Sequence, residues 1–113
     1  MEHVNSYYAA TANDHPRWPR LEGQVECDVC VIGGGFTGLS SALFLTEAGY
    51  DVVLLESAVV GFGASGRNGG QVVNSYSRDI DVIEQRYGKE IARMLGSMIF
   101  EGAEIIRDRI DRY

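Results

Sequence analysis

Two glycine clusters contain the residues of this 113-residue chain whose types and spacing could do chemistry. The first cluster is Gly33-Gly34-Gly35-Phe36-Thr37-Gly38, a G-x-G-x-x-G sequence that directly follows an apolar run. In this pattern the first glycine permits a tight turn, the second leaves room for a pyrophosphate, and the third lets a helix approach a strand. The cluster therefore predicts a dinucleotide site, and by itself it does not distinguish FAD from NAD.

A strand, a helix and a second strand must position this cluster. The apolar runs predict strands over residues 27–32 and 51–55, and a helix from Phe36 to Ala48 that Gly49 ends. The predicted buried face of the helix consists of Leu39, Ala42, Leu43 and Thr46. The helix N-terminus, with Phe36 and Thr37 in its first turn, would offer backbone N–H groups to a pyrophosphate. Glu56, followed by Ser57, ends the second strand, and its carboxylate could accept hydrogen bonds from ribose hydroxyls and repel a 2′-phosphate.

The second cluster is a loop whose sequence is Gly61-Phe62-Gly63-Ala64-Ser65-Gly66-Arg67-Asn68-Gly69-Gly70-Gln71. Its glycines could expose backbone amides along a flat ligand, and Ser65 and Asn68 could donate or accept hydrogen bonds. Arg67 could neutralise a phosphate or a developing negative charge. The alternative interpretation is a flexible surface loop without a ligand.

The stretch from Cys27 to Arg78, which contains both clusters, resembles the N-terminal part of the D-amino-acid oxidase/glycine oxidase superfamily. The resemblance implies FAD, with its AMP half over Gly33, Gly35, Gly38 and Glu56 and its flavin end near Ser65, Arg67, Asn68, Gly69, Gly70 and Gln71. It also implies oxidative deamination of a small-molecule amine or amino acid, for which a gamma-glutamylputrescine-like compound is a candidate. The residues give no catalytic acid or base. Two alternatives stay open, a non-catalytic dinucleotide-binding or interaction module and a fragment of an NAD-dependent dehydrogenase.

The predicted fold class is α/β, with a Rossmann-like FAD/NAD(P)-binding βαβ unit followed by helices. We expect an incomplete domain, because two strands fall below the usual size of a stable sheet. The predicted divisions are an arm over residues 1–24, the βαβ unit and second glycine loop over 25–75, and a helical segment over 76–113. Trp18 and Tyr7-Tyr8 are expected to pack the arm onto the rest of the chain. The helical segment should contain helices from Asp79 to Tyr87 and from Lys89 to Asp111, with an apolar stripe of Ile91, Leu95, Met98, Ile99, Ala103, Ile106 and Ile110.

Charge and cysteine content narrow the partners further. The net charge is −6 and Lys89 is the only lysine, so we expect neither nucleic acid nor a membrane surface as a partner. The segment near the N-terminus lacks a signal-peptide pattern, which favours a cytoplasmic protein. Cys27 and Cys30 are spaced C-x-x-C, but on a strand they would face opposite sides, so no metal site is expected. Self-association through an exposed sheet edge or the apolar stripe is a further prediction.

Overall fold

The computed structural model describes residues 4–14 and 17–113, and the chain divides into two compact units, residues 1–69 and 70–113. The first unit contains helix α1 (Tyr7–Ala10), strand β1 (Val29–Ile32), helix α2 (Phe36–Glu47), strand β2 (Val52–Leu55) and a 3₁₀ turn (Ala64–Gly66). The second unit contains helices α3 (Ile80–Tyr87) and α4 (Lys89–Arg112). The predicted boundaries at residues 24 and 75 stay predictions.

Strands β1 and β2 are parallel, with Val29 opposite Val52 and Ile32 opposite Leu55. The backbone N–H of Gly33 continues the ladder by one bond, donating to the carbonyl of Leu55 at 2.7 Å. These parallel strands, joined through α2, confirm the α/β class, whereas a Rossmann-like architecture requires further strands and stays a prediction. Strand β1 begins two residues later than expected, so Cys27 precedes it.

Helix α2 lies against one face of the sheet through its small residues. A Cβ atom added to Gly38 would lie 3.4 Å from Cγ1 of Val31, and Ala42 and Leu45 are half-buried at helical spacing from Gly38. The face predicted from the sequence was partly wrong, because Leu39 and Thr46 are exposed. The reason is that α2 approaches the sheet most closely at Gly38. Ala42 and Leu45, which follow Gly38 at helical spacing on the same side of the helix, therefore form the buried face.

Gly49 ends α2 as predicted. Its φ of +91° places it in the left-handed region, its N–H donates to Thr46, and the N–H of Tyr50 donates to Leu45. These two bonds form a Schellman motif, which satisfies carbonyl groups that the end of the helix would otherwise leave without a partner. The motif turns the chain directly into β2 and so fixes where Glu56 comes out of the sheet.

Helices α3 and α4 pack on each other in the second unit. Ala92 and Ala103 of α4 are buried, and the hydroxyl of Tyr76 donates to the carbonyl of Leu95 at 2.9 Å. The predicted stripe was partly wrong: it included Ala103, Leu95 and Ile99, but its members Ile91, Met98, Ile106 and Ile110 are exposed. The two buried residues of α4 are alanines, whereas the larger apolar side chains of the stripe are half-buried or exposed.

The arm departs from its prediction in two ways. Residues 7–10 form the short helix α1, whose first turn is capped by the Ser6 hydroxyl accepting from the N–H of Ala9. Trp18 and Tyr7 are about three-quarters exposed, at 75% and 76%, so the prediction that they pack the arm onto the body was wrong. Residues 1–3, 15 and 16 of the arm lie outside the described residues.

Candidate functional site

The first glycine loop is shaped by a close approach between helix α2 and the end of β1. A Cβ atom added to Gly38 would lie 1.9 Å from the carbonyl oxygen of Gly33, well inside van der Waals contact. Gly33 itself has a φ of +103°, which residues other than glycine rarely adopt. The structure thus shows at both positions the backbone geometry for which the G-x-G-x-x-G pattern selects glycine. Helix α2 begins directly after this turn, with Gly35 at its N-cap position.

Glu56 fastens this loop from the end of β2. Its Oε2 accepts a hydrogen bond from the backbone N–H of Gly34 at 2.7 Å. Its Oε1 accepts from the N–H of Ala58 at 2.9 Å and from the hydroxyl of Ser57 at 3.3 Å. The carboxylate therefore joins the loop after β1 to the turn after β2, two segments that lie 22 residues apart in the sequence.

The same contacts favour the charged form of Glu56. Its pKa is lowered from the ordinary glutamate value, chiefly by the hydrogen bond from Gly34 and then by that from Ala58, while partial burial opposes them. Hydrogen bonds donated to a carboxylate stabilise its ionised form more than its neutral form. A negative charge consequently lies beside the first glycine loop throughout the neutral pH range.

Ser65 of the second glycine loop lies at the N-terminus of α2. Its Oγ accepts a hydrogen bond from the backbone N–H of Phe36 at 3.0 Å. A second contact joins the same loops, because the N–H of Gly61 donates to the carbonyl of Gly34 at 2.9 Å. The structure thus brings Ser65 next to Gly35, one of the residues predicted for the AMP half, and to Phe36 in the first turn of α2.

Arg67 and Asn68 complete the second loop. The Asn68 side-chain amide donates to the carbonyls of Ala64 and Ser65, at 3.1 and 2.9 Å, and so holds the 3₁₀ turn. The Nε of Arg67 donates to the carbonyl of Gly63 at 3.3 Å, and its guanidinium carbon lies 5.9 Å from the centre of the Phe62 ring. Arg67 is exposed, so its positive charge is available at the surface of this loop.

The structure brings together most of the predicted residues of the first unit. Phe36, Glu56, Ser57 and Ser65 take part in the hydrogen bonds around the two loops, Gly35 lies directly against Ser65, and Gly33 and Gly38 shape the turn at the start of α2. Thr37 is exposed in the first turn of α2, and Gly69 is exposed at the end of the unit. Gly70 and Gln71 belong to the second unit, and their place at a flavin end stays a prediction.

Sequence reasoning missed the central role of Gly34, the variable second residue of the pattern. Gly34 is buried, its N–H is held by Glu56, and its carbonyl is held by Gly61. A Cβ there would lie 3.3 Å from Oε2 of Glu56, which is a tight contact. The signal available in the sequence was the run of three consecutive glycines, in which Gly34 fills the variable position of the pattern.

The described residues contain neither a candidate metal site nor a membrane-spanning helix. Within residues 4–14 and 17–113, the His, Cys, Asp and Glu side chains form no group of three or more that could hold a metal ion. Across the same residues, every helix is too short or too polar to cross a membrane. The cysteines in this part of the chain are free thiols, with Cys27 half-buried and Cys30 exposed.

The fold is a parallel α/β unit whose two glycine loops are joined by hydrogen bonds, and the comparison with protein families gives its class. Residues 28–113 match the model of the DAO family, described as FAD dependent oxidoreductase. The chain belongs to this family. The family predicted from the sequence is thereby confirmed.

The chain is also similar to individual oxidoreductases. The chain is 69% identical to gamma-glutamylputrescine oxidoreductase of Escherichia coli K12 over 99% of its own length, which is 26% of that protein. It is 47% identical to Probable oxidoreductase OrdL of Haemophilus influenzae over its whole length, again 26% of the relative. A protein of the same name from Rhizobium meliloti is 42% identical over 82% of the chain and 22% of the relative. The chain thus spans about a quarter of the length of these relatives, and no solved structure matched it.

Proposed function

We propose that the two glycine loops bind FAD, with its AMP half over the first loop and α2, as part of an oxidoreductase that oxidises a small-molecule amine or amino acid. The observation that carries the proposal is the clasp between the loops, in which Glu56 holds Gly34 and Ser65 holds Phe36. This clasp presents a helix N-terminus, a carboxylate and an arginine-bearing loop within one unit. These are the groups that a pyrophosphate joined to a ribose requires.

The acceptor capacity of Glu56 suits a ribose. A carboxylate offers about four lone-pair positions, and three protein donors use it here. The longest of these contacts, from Ser57 at 3.3 Å, is the one that a ribose hydroxyl would most readily replace. A 2′-phosphate would meet the negative charge of Glu56 at close range, so NADP is disfavoured.

The charges around α2 suit a pyrophosphate. The first backbone N–H groups of a helix carry a partial positive charge, and Gly35 brings no side chain in front of them. Arg67 adds a full positive charge on the second loop. Because no acidic residue occupies the first turn of α2, the helix itself places no negative charge against the phosphates.

FAD, when bound, would supply the chemistry for a two-electron oxidation of the amine to an imine, with molecular oxygen reduced to hydrogen peroxide. The residues of this chain bind and orient the cofactor, and they supply no identified acid or base. The substrate we favour is a gamma-glutamylputrescine-like amine, supported by the 69% identity to gamma-glutamylputrescine oxidoreductase. We place the protein in the cytoplasm as part of the same proposal.

The test is FAD binding by the full-length polypeptide that carries these residues, with Glu56→Gln and Glu22→Gln as a matched pair of charge-removing variants. Flavin absorbance between about 300 and 550 nm reports bound cofactor, and titration of the apo-protein gives the Kd. We expect Glu56→Gln to weaken FAD about tenfold or more, because a hydrogen bond to a charged group contributes about 1.5–3 kcal/mol and 1.4 kcal/mol is tenfold. Glu22 is exposed outside both loops, and its variant should bind like the wild type.

Peroxide release then tests the substrate class. Gamma-glutamylputrescine and simple amino acids are compared at equal concentration with the FAD-loaded protein. Faster peroxide formation with the glutamylated amine supports the substrate, and preference for an amino acid corrects it within the family. A wild-type protein that binds NAD but no FAD would overturn the proposed function.

A further inference from the structure

Helix α2 is capped by a residue from outside its own N-terminus. Its N-cap position is Gly35, which has no side chain to accept a hydrogen bond. Ser, Thr, Asp or Asn usually stands at this position and binds an N–H of the first turn. Here Ser65 performs that function from the second glycine loop, accepting from Phe36 across 29 residues of sequence.

The cap from outside needs the glycine. A Cβ atom at Gly35 would lie 2.9 Å from Oγ of Ser65, closer than real Cβ contacts occur, but 3.8 Å from Cβ of Ser65, an ordinary contact. A side chain at position 35 would therefore clash with the hydroxyl oxygen of Ser65 and not with its Cβ atom. Any side chain at position 35, including one that could cap the helix itself, would displace the Ser65 hydroxyl from Phe36.

The position of Ser65 also determines where the next residues of the loop lie. Gly61 is bound to Gly34 by a backbone hydrogen bond that does not involve the Ser65 hydroxyl. Beyond Gly61, the 3₁₀ turn contacts α2 through Ser65, and the Asn68 amide binds the carbonyls of Ala64 and Ser65. Loss of the Ser65 hydroxyl contact would thus leave the turn that carries Asn68 and the neighbouring Arg67 without this hydrogen bond to the helix.

We propose that Gly35 and Ser65 form one positioning unit, in which the bare backbone at Gly35 admits the Ser65 hydroxyl, and the hydroxyl locks the second loop to α2 before the cofactor arrives. This is a second role for Gly35, beside the expected one of letting a pyrophosphate approach the backbone. The consequence for FAD binding rests on the proposed function. The role in the apo-protein is tested by the melting temperature of a double variant.

The experiment compares wild type, Gly35→Ala, Ser65→Ala and the double variant in the full-length polypeptide, by apo-protein melting temperature and by Kd for FAD. We expect Gly35→Ala to weaken FAD more than tenfold, and Ser65→Ala to weaken it about threefold to tenfold through loss of one hydrogen bond. In the double variant the clash is gone, so its apo-protein melting temperature should return to that of Ser65→Ala, while the Cβ at position 35 still stands in front of the pyrophosphate. Residues in direct contact show such non-additivity, whereas independent effects would add.

Additive losses of apo-protein melting temperature in the double variant would overturn the proposal, because Gly35 would then be needed for its own backbone and not for the Ser65 hydroxyl. Ser65→Thr keeps the hydroxyl and should retain FAD better than Ser65→Ala, an outcome that bulk at position 65 alone would not give. Gly63→Ala is the control for melting temperature, since a Cβ there meets nothing within 4 Å. If the wild type binds no FAD, the proposed function fails, and the melting temperatures alone decide the pair.

Discussion

At the scale of single residues, Glu56 combines an electrostatic and a structural function. Its lowered pKa, caused first by the Gly34 N–H and then by the Ala58 N–H, means that the folded state binds its proton less tightly than the unfolded chain does. The resulting stabilisation is complete above the unfolded pKa, about 4.3, and is lost as the pH falls through the lower folded pKa. The loop clasp should therefore weaken in acid.

Glu56→Gln tests this pH dependence. The uncharged amide keeps one acceptor oxygen, so one of the two backbone N–H groups loses its partner, and we expect a loss of about 1 kcal/mol at pH 7 for this partly exposed site. The melting temperatures of wild type and variant should converge as the pH falls through and below the ordinary glutamate range, where the carboxylate takes up its proton. A difference that stays constant over this range would show that the charge of Glu56 contributes nothing to the clasp.

Gly38 tests the close approach of the helix. In Gly38→Ala the new Cβ would lie 1.9 Å from the Gly33 carbonyl oxygen, so α2 must move away from β1. We expect a destabilisation of about 3 kcal/mol or more, measured by chemical unfolding of the first unit. Gly102→Ala in α4 is the control, because a Cβ there meets nothing within 4 Å and alanine favours a helix by about 0.5–1 kcal/mol. Equal effects of the two variants would contradict the interpretation.

At the scale of elements, the end of α2 depends on one left-handed residue. Gly49→Ala keeps the Schellman hydrogen bonds possible but places a Cβ at a φ of +91°. We expect a cost of about 1 kcal/mol, and a smaller cost for Gly49→Asn, because asparagine tolerates this region better. Thermal unfolding of the three proteins measures the order. A destabilisation by asparagine as large as that by alanine would argue against the backbone explanation.

The elements that the sequence predicted well are those fixed by local chemistry. The G-x-G-x-x-G turn, the end of α2 at Gly49 and the two strands result from backbone requirements of neighbouring residues. The contact faces of α2 and α4 were predicted less well, since tertiary packing chose Gly38 and Ala92 where periodicity had favoured larger apolar residues. The Ser65 cap could not be predicted, because a contact across 29 residues leaves no local pattern.

At the scale of the whole molecule, the two faces of strand β1 differ in exposure among the described residues. In β1, Val29 and Val31 are half-buried, whereas Cys30 is exposed and Ile32 is 86% exposed. Parallel sheets in α/β proteins are normally covered on both faces. Among the described residues, the buried apolar side chains are those of Ala92 and Ala103, so this chain buries little apolar surface against which to balance its conformational entropy.

The thiol of Cys30 reports whether that open face becomes covered. In the 113-residue chain, we expect Ellman's reagent to label Cys30 readily, because this residue is exposed. In a polypeptide of the length of the relatives, of which this chain spans about a quarter, a covered sheet would slow the labelling about tenfold or more, corresponding to an opening free energy of about 1.4 kcal/mol. Cys27→Ser removes the neighbouring thiol, and Cys30→Ser gives the background from Cys27. Equal labelling rates of Cys30 in the two polypeptides would show that this face of β1 stays open to solvent, and that the stability of the paired strands must come from the α2 side alone.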